Sequence, residues 1–200
     1  RGVARWLCPA GAPGGRAPGG PVLPGCPAGS LAAGAPDTAG RILGLSVPIL
    51  GLCCGIQEMA LRLGGEVPRT DIGEYGFAEL TVTAPDSTIF AGLPATQQVW
   101  MSHRDSVGSA PAGFAVTART ATTAIAAMED PKRKLYATQF HPEVAHTEHG
   151  QEILKRFLHD VAGIAPTWTM VNIIDEAVDE IRSRVGDAKV ICGLSGGVDS

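Results

Sequence analysis

Two hundred residues give room for one full domain, or for one domain and part of a second, and 44% hydrophobic residues can build a sizeable core. With 16 Lys and Arg against 20 Asp and Glu the formal net charge is −4, and the lack of any basic run argues against a nucleic-acid surface. The longest apolar stretch, residues 42–56, is broken by Ser46 and Pro48 and falls short of a membrane span, so a protein of the aqueous phase is expected.

Residues 1–34 hold 9 Gly, 6 Pro and 7 Ala, and the first acidic residue of the chain is Asp37. Burial in such a segment cannot offset its ordering entropy, so it reads as disordered. The abrupt change of composition near Ala35-Pro36 also suggests a non-native stretch, an out-of-frame reading of GC-rich DNA. It lacks the apolar core of a signal peptide. The five cysteines, Cys8, Cys26, Cys53, Cys54 and Cys192, are odd in number and have no paired C-x-x-C spacing. They fit neither a disulfide framework nor a zinc site, and a reducing cytoplasm is the simplest setting.

Val47, Ile49, Leu50 and Leu52 read as a strand buried on both faces, as a parallel sheet requires. Ile56, Met59, Ala60 and Leu63 follow at helical spacing, and Gly64-Gly65 ends that helix. Cys53 therefore lies on a strand-to-helix turn, where Gly51 and Gly55 permit a tight elbow. A helix amino terminus and a nearby imidazole would lower its thiol pKa and make it a nucleophile; a buried core cysteine is the alternative.

From Gly76 the pattern becomes strand-like, with Ala78, Leu80 and Val82 alternating with Phe77, Glu79, Thr81 and Thr83. Short strands are expected at 97–102, 113–118, 123–128 and 135–140. Thr147 is expected to cap a helix carrying Ile153, Leu154, Phe157, Leu158 and Val161 on one stripe. The mixture is α/β. Residues 163–168 read as a linker, 170–185 as an amphipathic helix and 189–194 as a strand, so the carboxyl end opens a second domain without completing it.

Two further constellations carry chemistry. In the extended run Gln139-Phe140-His141-Pro142-Glu143, residues two apart project to the same side, so Glu143 can hold the tautomer of His141 and stabilise its imidazolium; a chance surface pair is the alternative. Ser195-Gly196-Gly197-Val198-Asp199-Ser200 follows the apolar strand, and its glycines would let backbone N–H groups approach a pyrophosphate.

The segment Gly51-Leu52-Cys53-Cys54-Gly55-Ile56-Gln57 resembles the nucleophile segment of class I glutamine amidotransferases, and Gln139–Glu143 resembles their His and Glu segment. Ser195–Ser200 resembles the PP-loop of the N-type ATP pyrophosphatases. This order of modules, with Trp100-Met101-Ser102-His103 and Phe140 to Thr147, resembles the GMP synthetase family over residues 35–200. The resemblance implies a flavodoxin-like amidotransferase domain at 35–163 lacking its amino-terminal part, then a linker and the truncated start of an adenine nucleotide alpha hydrolase-like ATP pyrophosphatase domain at 164–200.

It further implies that Cys53 attacks the glutamine amide to give a γ-glutamyl thioester and ammonia, that His141 moves the protons, and that Glu143 orients it. Gln57 would contact glutamine, and the Cys54 N–H would supply an oxyanion donor. Ser195, Gly196, Gly197, Val198, Asp199 and Ser200 would bind ATP with Mg2+, and the complete protein would convert XMP to GMP as a cytoplasmic homodimer. Three departures stand out. Cys54 takes the place of the family's Tyr, and Arg104 that of a Gly. Gly19-Gly20-Pro21 has the letters of the second oxyanion element but lies too far from Cys53 for the family's spacing, which implies a missing donor, a missing first strand and a bare sheet edge. An amidotransferase for another acceptor, or an inactive regulatory module, are the rival readings.

Overall fold

The computed structural model describes residues 22–23, 38–69, 73–166, 170–186 and 188. Gly19-Gly20-Pro21, Trp168, the expected strand 189–194 and the loop Ser195–Ser200 lie outside them. The chain divides into two compact units, Arg1–Ile164 and Ala165–Ser200.

The first unit is built on a seven-stranded sheet in the order β1-β2-β7-β6-β5-β3-β4. Its strands are β1 (Val22–Leu23), β2 (Ile49–Leu52), β3 (Glu74–Val82), β4 (Thr96–His103), β5 (Ala115–Arg119), β6 (Ala127–Asp130) and β7 (Leu135–Thr138). Strand β2, next to the edge strand β1, runs parallel to both β1 and β7, and all four of its residues are buried, as its unbroken apolar sequence requires. The sheet is mixed, however, because β7, β6, β5, β3 and β4 pair antiparallel in succession.

Alternation along the strands divides the core into two layers. Ile49, Leu135, Ala137 and Met128 pack with Ile56, Met59 and Ala60 of α2 (Cys54–Arg62) and with Ile42 of α1 (Thr38–Leu43). On the opposite face Leu50, Leu52, Tyr136 and Ala127 meet Phe90, Phe140, and Ile153 of α3 (Gly150–Lys155). Phe157 joins them from a π-helical turn, Arg156–Val161, that continues α3. Burying each of these large side chains contributes about 1.5–3 kcal/mol.

Three expectations are corrected here. The edge of β2 is not bare, because Val22 and Leu23 pair with Leu50 and Gly51. The strand expected at 123–128 runs instead over Ala127–Asp130. Its predicted beginning is held in a turn, in which the Thr120 hydroxyl accepts the N–H groups of Thr122 and Thr123. Both Thr120 and Thr123 in turn donate their hydroxyls to Glu74, a residue 46 and 49 positions distant that no local pattern reveals. The helix expected near Thr147 begins only at Gly150.

The sheet also curls. Residues Glu74–Thr81 of β3 pair with β4, whereas only Thr81 and Val82 pair with β5, so the β3–β4 hairpin swings away from the main plane. The outer edge of β4 thereby returns to the carboxyl ends of β2 and β7, where it meets Cys53 and the segment after β7. In the second unit, α4 (Met170–Val185) occupies the predicted range and ends near the exposed pairs Asp179–Arg182 and Glu180–Arg184.

Candidate active site

Cys53 joins β2 to α2 with φ 50° and ψ −104°, a left-handed conformation that costs a non-glycine residue about 1–3 kcal/mol. The elbow is held by its two glycines. A Cβ on Gly51 would lie 2.8 Å from the carbonyl carbon and oxygen of Gly55, so strand and helix approach within a distance only glycine allows. The Cys53 N–H donates to the Thr138 carbonyl at 2.8 Å and locks the turn to the end of β7.

The sulfur is nearly enclosed, with Cys53 only 4% exposed. Its thiol donates to the Ser102 carbonyl at 3.6 Å, and the Gln139 amide nitrogen approaches it at 3.9 Å. The expected lowering of the thiol pKa is corrected. The hydrogen bond with the Cys54 side chain, followed by burial, the electrostatic influence of Cys54 and the charge of Glu143, pushes the thiol well above its ordinary range. The Cys54 backbone N–H, directed at the sulfur, pulls the other way without prevailing. At rest Cys53 is therefore a protonated thiol.

The register of β7 sets Leu52 beside Thr138, so the two chains leave the sheet at the same edge. Three residues on, His141 Nδ1 lies 2.7 Å from Glu143 Oε1, the pairing expected from their alternation around Pro142. The carboxylate accepts, so Nδ1 carries the proton and Nε2 is the basic nitrogen. Burial raises the Glu143 pKa, but the His141 hydrogen bond, a backbone amide and the His141 charge hold it below the usual carboxylate value, so it stays ionised at neutral pH.

A common frame holds the Cys53 thiol and the His141 backbone. The Trp100 carbonyl accepts the His141 N–H at 3.0 Å, while the Ser102 carbonyl accepts the Cys53 thiol. Carbonyls two residues apart on a strand point to the same edge about 7 Å from one another. One strand thus spaces the two groups, although they are 88 residues apart in the chain.

Beneath the sulfur lies a polar floor that sequence reasoning only touched. Gln57, expected to meet the substrate, is 4% exposed and donates to the Asp105 carbonyl at 2.6 Å and to Gln139 Oε1 at 3.3 Å. His103 Nδ1 also donates to the Asp105 carbonyl, at 3.0 Å, while its Nε2 faces Glu74 Oε2 at 3.4 Å without a hydrogen bond. Burial lowers the His103 pKa against the opposing pull of Glu74 and the Asp105 carbonyl. The exposed Arg104 sits on the same turn. Gln139, Ser102 and His103 stand inside the quoted motifs, but only the curl of β4 reveals what they touch.

The remaining histidines divide. His149 precedes α3, His159 bonds the Ile164 carbonyl at 2.5 Å, and His146 stacks on Phe77 at 5.6 Å and meets Trp100 edge-on at 4.7 Å. Among the described residues no group of three or more His, Cys, Asp or Glu could hold a metal ion, and no helix is long and apolar enough to cross a membrane.

A thiol on a strained strand-to-helix elbow and a carboxylate-paired imidazole just beyond the end of the adjacent parallel strand are the groups that cysteine-dependent hydrolytic and transferase sites use. The family model "Glutamine amidotransferase class-I" matches residues 15–161, and the chain belongs to the class I glutamine amidotransferases. The particular relatives are GMP synthases. The chain is 51% identical over 185 residues to the GMP synthase [glutamine-hydrolyzing] of Parafrankia sp., covering 92% of this chain and 34% of that protein. It is 54% identical over 160 residues to the protein of the same name from Lactobacillus acidophilus, covering 80% of this chain and 31% of that one. A crystal structure assigned as a GMP synthase subunit from Thermoplasma acidophilum superposes with a TM-score of 0.59 at 33% identity, over 70% of this chain and 68% of the other. The chain thus spans about a third of the length of the curated relatives it matches.

Proposed function

We propose that this chain hydrolyses glutamine to glutamate and ammonia, with Cys53 as nucleophile, His141 as general acid and base, and Glu143 as its orienting carboxylate. The observation that carries the reading is the shared edge of β4, whose Ser102 and Trp100 carbonyls hold the thiol and the histidine backbone.

On this reading His141 Nε2 takes the thiol proton as the sulfur attacks the side-chain amide carbon. The resulting oxyanion is met by the Cys54 N–H, which already points at the sulfur. The C–N bond then breaks, and the imidazolium returns its proton to the leaving nitrogen. Ammonia departs and a γ-glutamyl thioester remains. Water, deprotonated by His141, attacks that thioester, and glutamate and the free thiol result. A high resting thiol pKa suits this order, because the nucleophile is generated by transfer to His141 rather than kept as a reactive thiolate. Gln57 serves the glutamine side of the site through the Asp105 turn that it holds.

The whole protein, on the strength of the GMP synthase relatives, would pass the ammonia to XMP activated by ATP and yield GMP. Mg2+ would neutralise phosphate charge in that step. ATP binding is assigned to Ser195–Ser200, outside the described residues, so no step is derived through them. A cytoplasmic homodimer that binds neither nucleic acid nor membrane completes the proposal, and a reducing compartment fits chemistry that runs through a free thiol.

The test is ammonia release from glutamine by the full chain beside Cys53→Ala. Hydrolysis that is lost in the variant supports the assignment. Equal release by both, or none by either with the protein folded, overturns it.

A further inference from the structure

The segment after β7 does more than carry His141 and Glu143. Its residue Thr147, expected to cap α3, leaves the α3 cap to His149, which makes no side-chain cap. Its hydroxyl instead donates to the His141 carbonyl at 2.6 Å and accepts the Trp100 N–H at 3.1 Å. The His141 N–H returns to the Trp100 carbonyl at 3.0 Å. Both backbone polar groups of His141 are therefore tied to one residue of β4, directly on one side and through the Thr147 hydroxyl on the other.

The clamp is enclosed and continued. Thr147 is 5% exposed, and next to it Glu148 repeats the pattern, its N–H donating to the Gln98 carbonyl at 3.0 Å and its carboxylate accepting the Gln98 N–H at 3.1 Å. Gln98 and Trp100 turn these groups to the edge away from β3, so residues 141–148 substitute for an eighth strand without adopting strand conformation. On the helix side, a Cβ on Gly150 would clash with the Pro142 backbone, which closes the segment into a compact loop.

We infer that Thr147 is a positioning residue for the reaction, setting the backbone of His141 against β4 so that its imidazole meets the thiol held two residues further along the same strand. The inference rests on the proposed roles of Cys53 and His141. Removing the hydroxyl takes that partner from the half-buried Trp100 N–H and His141 carbonyl and frees the histidine to drift. Misplacement by about 1 Å costs on the order of a hundredfold in rate. Glutamine binding, served by the Asp105 side of the site, does not pass through this clamp.

The experiment compares Thr147→Val, which keeps shape and loses the hydroxyl, with Thr147→Ser, which keeps the hydroxyl, in the full chain. The valine variant should lower kcat for glutamine hydrolysis about 10- to 100-fold with KM within about threefold, and the serine variant should recover most of the loss. In a His141→Ala background the valine change should add nothing to the loss of kcat. A merely structural residue would give additive losses, or a serine variant as impaired as the valine one, and either result overturns the inference. The pH profile of Cys53 alkylation by iodoacetamide is read in parallel, because it needs no turnover. If the wild type fails to hydrolyse glutamine, the glutaminase reading falls. The positioning role then stands only if Thr147→Val alters that profile as His141→Ala does, and it falls if the profile is unmoved. If Thr147→Val does not fold, the serine variant decides: loss of activity in folded Thr147→Ser refutes dependence on the hydroxyl.

Discussion

Replacing Gly51 by Ala is the sharpest probe of the elbow. The new methyl would stand 2.8 Å from both the carbon and the oxygen of the Gly55 carbonyl and 3.1 Å from the Ile56 nitrogen. Carbon atoms pack best at about 3.5–4.0 Å, so the first turn of α2 must retreat by about 0.7 Å. Every atom in the way is backbone, and no rotamer change relieves it. Overpacking of this kind costs about 1–3 kcal/mol, which in a domain of this size lowers Tm by roughly 2–12 °C. The same retreat carries Cys53 away from the β4 edge, so hydrolysis should fall by more than the loss of folded protein. Gly64→Ala is the matched control. Gly64 has φ 89° with nothing within 4 Å of an added Cβ, so it pays only the conformational penalty of about 1 kcal/mol and leaves the elbow alone. Thermal unfolding and steady-state glutaminase assays on both variants decide. If Gly51→Ala melts within about 1 °C of the wild type and retains its rate, the close approach at the elbow does not hold in the working enzyme.

Two further outcomes follow from the electrostatics. Cys54→Ala removes the side chain that contributes most to raising the Cys53 thiol, so the pH profile of Cys53 alkylation should move to lower pH; an unchanged or higher profile would contradict that cause. Stability should also decline in acid. Burial holds the His103 pKa below its ordinary value of about 6.5, and the threonine hydroxyls and Arg133 hold Glu74 and Asp130 below theirs against the opposing effect of burial. In each case the unfolded chain binds more protons than the native one, so stability rises with pH through these ranges. Urea unfolding between about pH 4 and 8 should show the loss beginning near about pH 6.5 and steepening near about 4.5, with Glu74→Gln flattening the lower part. Greater stability at about pH 5 than at about pH 7 would reverse the sign.

The local halves of the site were legible in the residues. An uncharged apolar run ending in Gly51-Leu52-Cys53-Cys54-Gly55 encodes a buried strand and an elbow, and alternation across Pro142 encodes the His141–Glu143 pair. The parts that escaped are those made at long range. Nothing near Trp100 or Ser102 announces that their carbonyls face His141 and Cys53, since that depends on β3 pairing with β4 over Glu74–Thr81 but with β5 only at Thr81 and Val82. Thr147 has the chemistry of a helix cap and lies close to a helix, but the unpaired edge of β4 competes for its hydroxyl and wins. The thiol pKa was misjudged for a related reason. The helix end is visible in the pattern, whereas enclosure of the sulfur by Ser102, Gln139 and Cys54 is a property of the folded chain. The edge strand Val22–Leu23 is two residues long and sits in a Gly- and Pro-rich stretch, too short for any periodicity to report.

The proposed hydrolysis requires Cys53 Sγ to meet the glutamine amide. Intact-protein and peptide mass spectrometry after incubation with a glutamine-shaped electrophile, a diazoketone in place of the carboxamide, tests it directly. One adduct on Cys53, suppressed by excess glutamine and absent from the neighbouring Cys54, is the predicted result. Modification of Cys54 in its place, or labelling of Cys53 that glutamine does not slow, would contradict it.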